Sequence, residues 1–261
     1  MMDSASQNRV DSNSKSGVDR SRPRAPVRGT FVADRTKAYY PGFWAVPKSG
    51  SQVCDSESGT LSPYLLSYRK RVLDICVAAT ALVILSPLFL TVGLIIRLGS
   101  PGPALFRQTR TGTGGRPFTV YKFRSMQVQP PSRTIVAQAR RGDERITSFG
   151  RFIRRTSIDE LPQMLNVLNG TMSLVGPRPH AVEHDAYYTT RIANYPLRFA
   201  ALPGLSGLAQ VSGARGSTPR LEDMERRLAY DLNYIQSASL RSDLRILAAT
   251  IREMLLSTSA Y

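Results

Sequence analysis

The chain has 261 residues and a formal net charge of +16, enough length for one large domain, or a medium domain with appendages. Nine Lys/Arg against six Asp/Glu fall on residues 1–63, so +13 of that charge lies on residues 64–261, a basic surface suited to nucleic acid, anionic headgroups or phosphorylated substrates. The two cysteines, Cys54 and Cys76, lie far apart in unlike surroundings; they exclude a disulfide framework and a cysteine-based metal site, and fit a reducing compartment.

Residues 1–63 are rich in Ser, Arg, Pro and Gly and show no helical or strand period before Tyr39; the composition predicts a disordered tail with no secretory signal. Its aromatic cluster, Tyr39, Tyr40, Phe43 and Trp44, is the tail's one adhesive spot. Residues 64–100 are expected to form a membrane anchor. Within them Ile75–Ile96 is a run of 22 residues without a charge, long enough to span a bilayer. Ser86-Pro87 interrupts it near the middle, where proline removes a helix hydrogen bond and the serine hydroxyl can re-satisfy a carbonyl. Each half of about eleven residues measures roughly 16 Å, about one leaflet. Arg69, Lys70 and Arg71 precede the run and Arg97, Arg107 and Arg110 follow it, so both ends favour the cytoplasmic side. The reading is a broken, re-entrant helix; a Pro-kinked spanning helix and a buried core helix are the alternatives.

Residues 101–261 are expected to form the main folded domain. Ala104–Arg107 and Phe118–Phe123 read as two strands of a hairpin around a Gly-rich turn, with Lys122 and Arg124 at the end of the second. Gln127–Gly142 reads as a loop. Ile146–Arg155 sets Phe149, Phe152 and Ile153 against Arg151, Arg154 and Arg155, an amphipathic helix suited to the headgroup region.

The stretch Arg154–Pro179, RRTSIDELPQMLNVLNGTMSLVGPRP, places Asp159 and Glu160 after two arginines and closes on a Gly-Pro-Arg-Pro turn. Ser157 and Glu160 have capping-box spacing, so a helix is expected to begin near Ile158 or near Leu161, the second being easier on Pro162. An acidic pair at such a terminus beside arginines suits phosphate and a divalent cation; a plain capped helix with solvated arginines is the bland alternative. His180 and His184 stand four apart but lack a third zinc ligand; phosphate contact or packing explains them better. Residues 202–215 form a loop with three glycines and Arg215. Glu222–Ile235 and Leu240–Leu255 read as two final helices. The second carries Leu240, Leu244, Leu247, Ile251 and Leu255 at helical spacing and, with Arg241, Arg245 and Arg252, inclines to the membrane surface.

Taken in order, KRVLDI, the Ser-Pro break, SPGPALFRQTRTG, YKFRSM, SIDELPQMLNVLNGTMSLVGPRP, LPGLSGLAQVSGAR and YDLNYI resemble the bacterial sugar transferase family, the small monotopic phosphoglycosyl transferases, over residues 69–256. The GPRPHAVEH version is similar to members that prime exopolysaccharide synthesis with glucose or galactose 1-phosphate. Family members often carry tryptophan where this chain has Leu208.

The resemblance implies an enzyme that transfers a hexose 1-phosphate from a UDP-sugar to polyprenyl (undecaprenyl) phosphate and releases UMP. It implies Asp159 as nucleophile of a phosphosugar–aspartyl intermediate. Glu160 would assist, Mg²⁺ would be held by Asp159 and Glu160, and Arg154, Arg178, Arg215, Lys122 and Arg124 would contact phosphate. The implied fold is mainly α with a small β-hairpin (α+β), monotopic, with interfacial helices. The implied location is the cytoplasmic face of the inner membrane, with polysaccharide-assembly proteins as candidate partners and no nucleic acid. A nucleic-acid-binding protein is the rival suggested by charge, against which the apolar run speaks. A non-catalytic membrane scaffold is the rival within the family, against which the intact acid pair speaks.

Overall fold

A computed structural model of the chain describes residues 61–127, 143–216 and 218–256. Most of the N-terminal segment, its aromatic cluster and nearly all of the Gln127–Gly142 loop lie outside the described residues. The described part is mostly helical with two small sheets.

Two helices, α1 (Tyr68–Ile84) and α2 (Ser86–Gly99), form a pair bent by 62°. Pro87 lies in the first turn of α2, where its missing N–H removes no helix bond. The Ser86 hydroxyl donates to the Val83 carbonyl at 2.8 Å, recovering an acceptor that the break leaves open. The arms have 17 and 14 residues, roughly 26 and 21 Å. Neither is long and apolar enough to cross a membrane alone, although the bent pair is by length and composition. α1 is longer than the apolar run predicts because its first two turns carry paired charges. Lys70 reaches Asp74 at 3.1 Å and Asp243 at 2.7 Å. The hydroxyls of Tyr64 and Tyr234 donate to the same Asp243 carboxylate. Arg71 donates to the Val167 and Leu168 carbonyls. Lys70 and Arg71, two of the cations that precede the apolar run, are therefore engaged inside the protein, which leaves Arg69 as the flanking cation on that side without such an engagement among the described residues. The chain enters this body before α1, with Ser62 buried and bonded to the Ile235 and Ala238 carbonyls.

The hairpin pairs β1 (Leu105–Thr111) with β2 (Pro117–Phe123), Leu105 opposite Phe123 and Thr111 opposite Pro117. β1 runs four residues beyond its expected end. The turn between them puts Gly114 and Gly115 at φ 64° and 75°, backbone that side chains resist. Phe123 and Leu105 join Val92, Ile96 and Phe89 of α2, Ile153 and Phe149 of α3 (Ser148–Arg155), and Ile158 in one core. That core fixes the second arm of the bent pair against the segment that carries the acids. α3 begins at Ser148, capped by Thr147, because Ile146 is held in a bridge with Met126.

After the 3-10 segment Ile158–Gln163 come α4 (Met164–Leu168), β3 (Ser173–Val175), α5 (Val182–Thr189), the 3-10 segment Tyr195–Ala200, β4 (Gly204–Ser206) and α6 (Leu208–Val211). The parallel pair β3–β4 had no sequence signal. It requires close backbone approach, since a Cβ on Gly204 would stand 2.1 Å from the Gly176 nitrogen. α7 (Leu221–Ser237) and α8 (Leu240–Leu256) complete the main core with Ala78, Val167, Leu174, Val175, Tyr234 and Ile246. α8 buries Asp243 and Ile246 and leaves Leu240, Leu244 and Ile251 exposed.

Candidate active site

The acid pair sits on a 3-10 turn, entered by a residue with unusual backbone geometry. Ser157 has φ 57°, the only positive value at a non-glycine among the described residues; such strain persists only where surroundings enforce it. The capping box is not formed. Ser157 Oγ receives instead a 2.6 Å hydrogen bond from Arg215, and Glu160 turns its carboxylate to other partners. The backbone N–H of Glu160 still donates to the Ser157 carbonyl at 3.1 Å. The 3-10 segment starts at Ile158, contains Pro162, and gives way to α4 at Met164, which answers the open question of the helix start with two short helices in succession.

The two acids have opposite environments. Glu160 accepts both guanidinium nitrogens of Arg178, at 2.6 and 3.1 Å, and the Lys122 ammonium at 2.7 Å. Although burial opposes ionisation, Arg178 and Lys122 hold its carboxyl well below the usual range. Asp159 accepts no hydrogen bond from any described residue, and it is pushed up to about 6 by burial and then by the charge of Glu160, against Lys122, Arg154 and Arg178. One acid is thus locked in ion pairs, and its neighbour keeps its oxygens for other chemistry.

Buried polar groups hold the cations in place. Arg198 is paired with Asp231 and Asp185 at 3.0 and 3.2 Å and donates to the backbone carbonyl of Arg178 at 2.7 Å. Arg227 donates to the carbonyls of Ala214 and Gly216, on either side of Arg215. His180 lies between these two arginines. Its Nδ1 is 2.9 Å from the Tyr195 hydroxyl and 2.9 Å from Arg198, and its Nε2 is 3.2 Å from Arg227. Burial, aided by Arg198, pushes this imidazole down to about 3, so it is neutral. The contacts close a ring from Glu160 through Arg178, Arg198, His180, Arg227, the 214–216 backbone, Arg215 and Ser157 back to Glu160.

The structure brings together Lys122, Arg154, Arg178 and Arg215 around Asp159 and Glu160, Arg154 through its charge on Asp159. It does not bring Arg124 there. That guanidinium is buried at the end of α2, donating to the Ile96, Ser100 and Pro101 carbonyls, so its task is to terminate the helix. Ser86 and Pro87 stand at the bend. Among the described residues no group of three His, Cys, Asp or Glu gathers as a metal site, and His180 is engaged elsewhere. Mg²⁺ needs less, one or two carboxylates together with substrate phosphates, and the Asp159 carboxylate, without a described donor, fits that requirement better than the doubly paired Glu160.

Sequence reading missed Arg110, Arg198 and Arg227. Arg110 is bridged through its backbone to Ala181 and bonded to Gln108; burial and the charge of Arg178 lower its affinity for its proton. Its place in the TRTG segment was a usable signal. Arg198 and Arg227 had none, because nothing local marks an arginine that will be buried by distant acids.

A family model described as bacterial sugar transferase matches residues 65–257. The chain belongs to the bacterial sugar transferase family. It is 53% identical over 203 residues to the UDP-glucose:undecaprenyl-phosphate glucose-1-phosphate transferase of Caulobacter vibrioides, an alignment covering 78% of this chain and 76% of that protein. The protein of the same description from Escherichia coli K12 is 47% identical over 192 residues, 74% of this chain but 41% of its own length. An exopolysaccharide production protein of Rhizobium leguminosarum is 46% identical over 185 residues, 70% of this chain and 92% of its own. The whole acid-bearing segment lies inside the region that this sugar transferase shares with the family.

Proposed function

We propose that this sugar transferase moves a hexose 1-phosphate, glucose 1-phosphate by similarity to the Caulobacter protein, from a UDP-sugar to undecaprenyl phosphate, as the priming step of exopolysaccharide or other glycoconjugate synthesis. The chain is an enzyme of the undecaprenyl-phosphate sugar phosphotransferase class, as its family and relatives at about half identity support. The observation that carries the mechanism is the division of labour between the acids: Glu160 is saturated by cations and Asp159 is not.

An Asp159 oxygen attacks the sugar-bearing phosphorus of the UDP-sugar. The bond from that phosphorus to the bridging oxygen breaks, and UMP leaves with the electron pair. The sugar phosphate then rests on Asp159 as an acyl phosphate. A phosphate oxygen of undecaprenyl phosphate attacks the same phosphorus and expels the carboxylate, regenerating Asp159. Arg178, Arg154, Arg215 and Lys122 neutralise phosphate oxygens, the guanidinium fork matching two of them at once. Asp159, assisted by Glu160, would hold Mg²⁺, which supplies further neutralisation of diphosphate charge.

The bent α1–α2 pair supports a monotopic anchor on the cytoplasmic face of the inner membrane, where a soluble nucleotide sugar and a lipid acceptor can both reach the acids. α3 and α8, with apolar and basic residues exposed together, would lie at the headgroups. The test is covalent capture. UDP-sugar labelled in the hexose, without lipid acceptor, should label wild type through a hydroxylamine-sensitive bond and leave Asp159→Asn unlabelled. Equal labelling of the Asn variant would remove Asp159 as nucleophile.

A further inference from the structure

Glu160 is held by three bonds from two cations on separate elements, Lys122 of β2 and Arg178 of the turn after β3. One oxygen, Oε1, touches both cations. The side chains of all three residues are largely sequestered, 13% exposed for Glu160, 20% for Lys122 and 25% for Arg178. A bidentate carboxylate offers the guanidinium fork a two-oxygen edge, as a phosphate does. The arrangement resembles an anion site already filled by an anion of the protein itself. A carboxylate wanted only as a metal ligand or general base gains nothing from two cations on its oxygens, and a wholly structural pairing has no reason to stand beside a carboxylate without a donor among the described residues.

We infer that Glu160 is a displaceable counterion, occupying on Arg178 and Lys122 the place taken by the diphosphate of the nucleotide sugar and reclaiming it when the diphosphate is cleaved. The inference rests on the proposed UDP-sugar reading. Before substrate arrives, Glu160 keeps two like charges close together and correctly aimed. The diphosphate brings two anionic groups able to satisfy both cations, and Glu160 swings off them. Once the sugar phosphate has moved to Asp159, the departing nucleotide retains one phosphate. Glu160 then competes with it for the cations, which speeds UMP release and clears the site for the lipid phosphate. Removing the charge of Glu160 should therefore tighten nucleotide binding while slowing turnover, opposite in sign to the loss of a binding residue.

The experiment is a calorimetric titration of the full chain in detergent with UMP and with UDP, in chelator so that Mg²⁺ ligation does not enter. Wild type, Glu160→Gln and Asp159→Asn are compared, with UMP release from UDP-glucose and undecaprenyl phosphate measured on wild type in Mg²⁺. Glu160→Gln should bind UMP at least fivefold more tightly than wild type, and Asp159→Asn, which leaves the Glu160 pairs intact, should gain less than half as much. Unchanged or weaker binding in Glu160→Gln overturns the inference. Equal gains in the two variants also overturn it, because they would report general removal of negative charge. If thermal unfolding shows Glu160→Gln unfolded, Glu160→Asp carries the same test, since the shorter acid cannot hold both cations and should also tighten UMP. UMP release by wild type together with unchanged nucleotide affinity in the variants rejects the counterion role alone. Failure of wild type both to bind nucleotide and to release UMP rejects the UDP-sugar reading, and the counterion role with it.

Discussion

Arg215 donates a 2.6 Å hydrogen bond to the hydroxyl of Ser157, the residue held at φ 57° immediately before the acid-bearing turn. A left-handed non-glycine residue costs roughly 1–3 kcal/mol, and here the contact comes from a loop nearly sixty residues away, itself fastened by Arg227. The strain sets the direction in which Asp159 leaves the turn. Ser157→Ala keeps the strain and removes the acceptor, so transfer should fall about tenfold, roughly 1.4 kcal/mol of barrier. Arg215→Ala should fall further, because its guanidinium is also proposed to neutralise substrate phosphate. The double variant should match Arg215→Ala within about threefold, since the hydroxyl acts only through that guanidinium. Independent, multiplying losses in UMP-release rates would show that the two groups work separately.

As the proposed nucleophile Asp159 would have to be ionised to attack, and burial beside Glu160 pushes it up to about 6. Below that value the nucleophile is protonated, so kcat/KM for UDP-sugar should fall about tenfold per pH unit, an acid limb with midpoint near 6. Glu160, held well below the usual range by Arg178 and Lys122, stays ionised throughout and adds no second limb above pH 5. UMP release from pH 5 to 8 checks this, and flat activity down to pH 5 would contradict it.

The same shift makes Asp159 costly to the fold. Its folded value, about 6, stands above the ordinary 3.8, so its contribution is present below 3.8 and is lost as pH rises through about 6. At neutral pH the ionised group destabilises by roughly 1–3 kcal/mol, discounted for partial exposure. Asp159→Asn should accordingly abolish transfer and raise Tm at pH 7.5, with the gain fading toward pH 4. A lower Tm at pH 7.5 would mean that the carboxylate makes a stabilising contact.

The hairpin supplies a contrast between two cations on neighbouring positions. Lys122 points to Glu160 and Arg124 to the end of α2. Lys122→Met should leave Tm within a few degrees and cut turnover by about a hundredfold, whereas Arg124→Gln should lower Tm and reduce activity only in step with folded protein. Thermal unfolding alongside steady-state rates separates the two. The pair also shows where sequence reading stops. The acids, the hairpin, the helix break and the cations near the acids were legible because each leaves a local mark: adjacent charges, alternation around glycines, a proline in an apolar run. In the sequence both cations stand together at the end of the second strand. The strand ends at Phe123, so Arg124 leaves the hairpin and turns to the α2 carbonyls. Lys70, Arg198 and Arg227 were illegible for a related reason. An arginine or lysine near an apolar run looks like surface charge until residues more than thirty positions away, such as Asp231 for Arg198 and Asp243 for Lys70, arrive to bury it.

In the proposed anchor, the bend at Leu85 would decide how the helix pair meets the bilayer. Two features hold it: Pro87, which has no N–H to give the Val83 carbonyl, and the Ser86 hydroxyl, which takes that carbonyl instead. Replacing both, Ser86→Ala with Pro87→Leu, restores the donor and removes the competitor, favouring a continuous helix from Tyr68 to Gly99. That helix would be long enough to cross the membrane. Opposing it are the Arg124 bonds to the Ile96, Ser100 and Pro101 carbonyls and the core that joins Val92 and Ile96 to Phe123 and Ile153, which tie the end of α2 to the catalytic domain. In a background with Cys54 and Cys76 replaced by serine, Arg69→Cys and Gly99→Cys should both resist a membrane-impermeant thiol reagent added from the periplasmic side. The double replacement should expose Gly99→Cys in part of the population and leave Arg69→Cys protected, with transfer activity lost in proportion. Labelling of Gly99→Cys in the otherwise unaltered sequence would make the pair a kinked spanning helix and would move the acids to the opposite face from their nucleotide sugar.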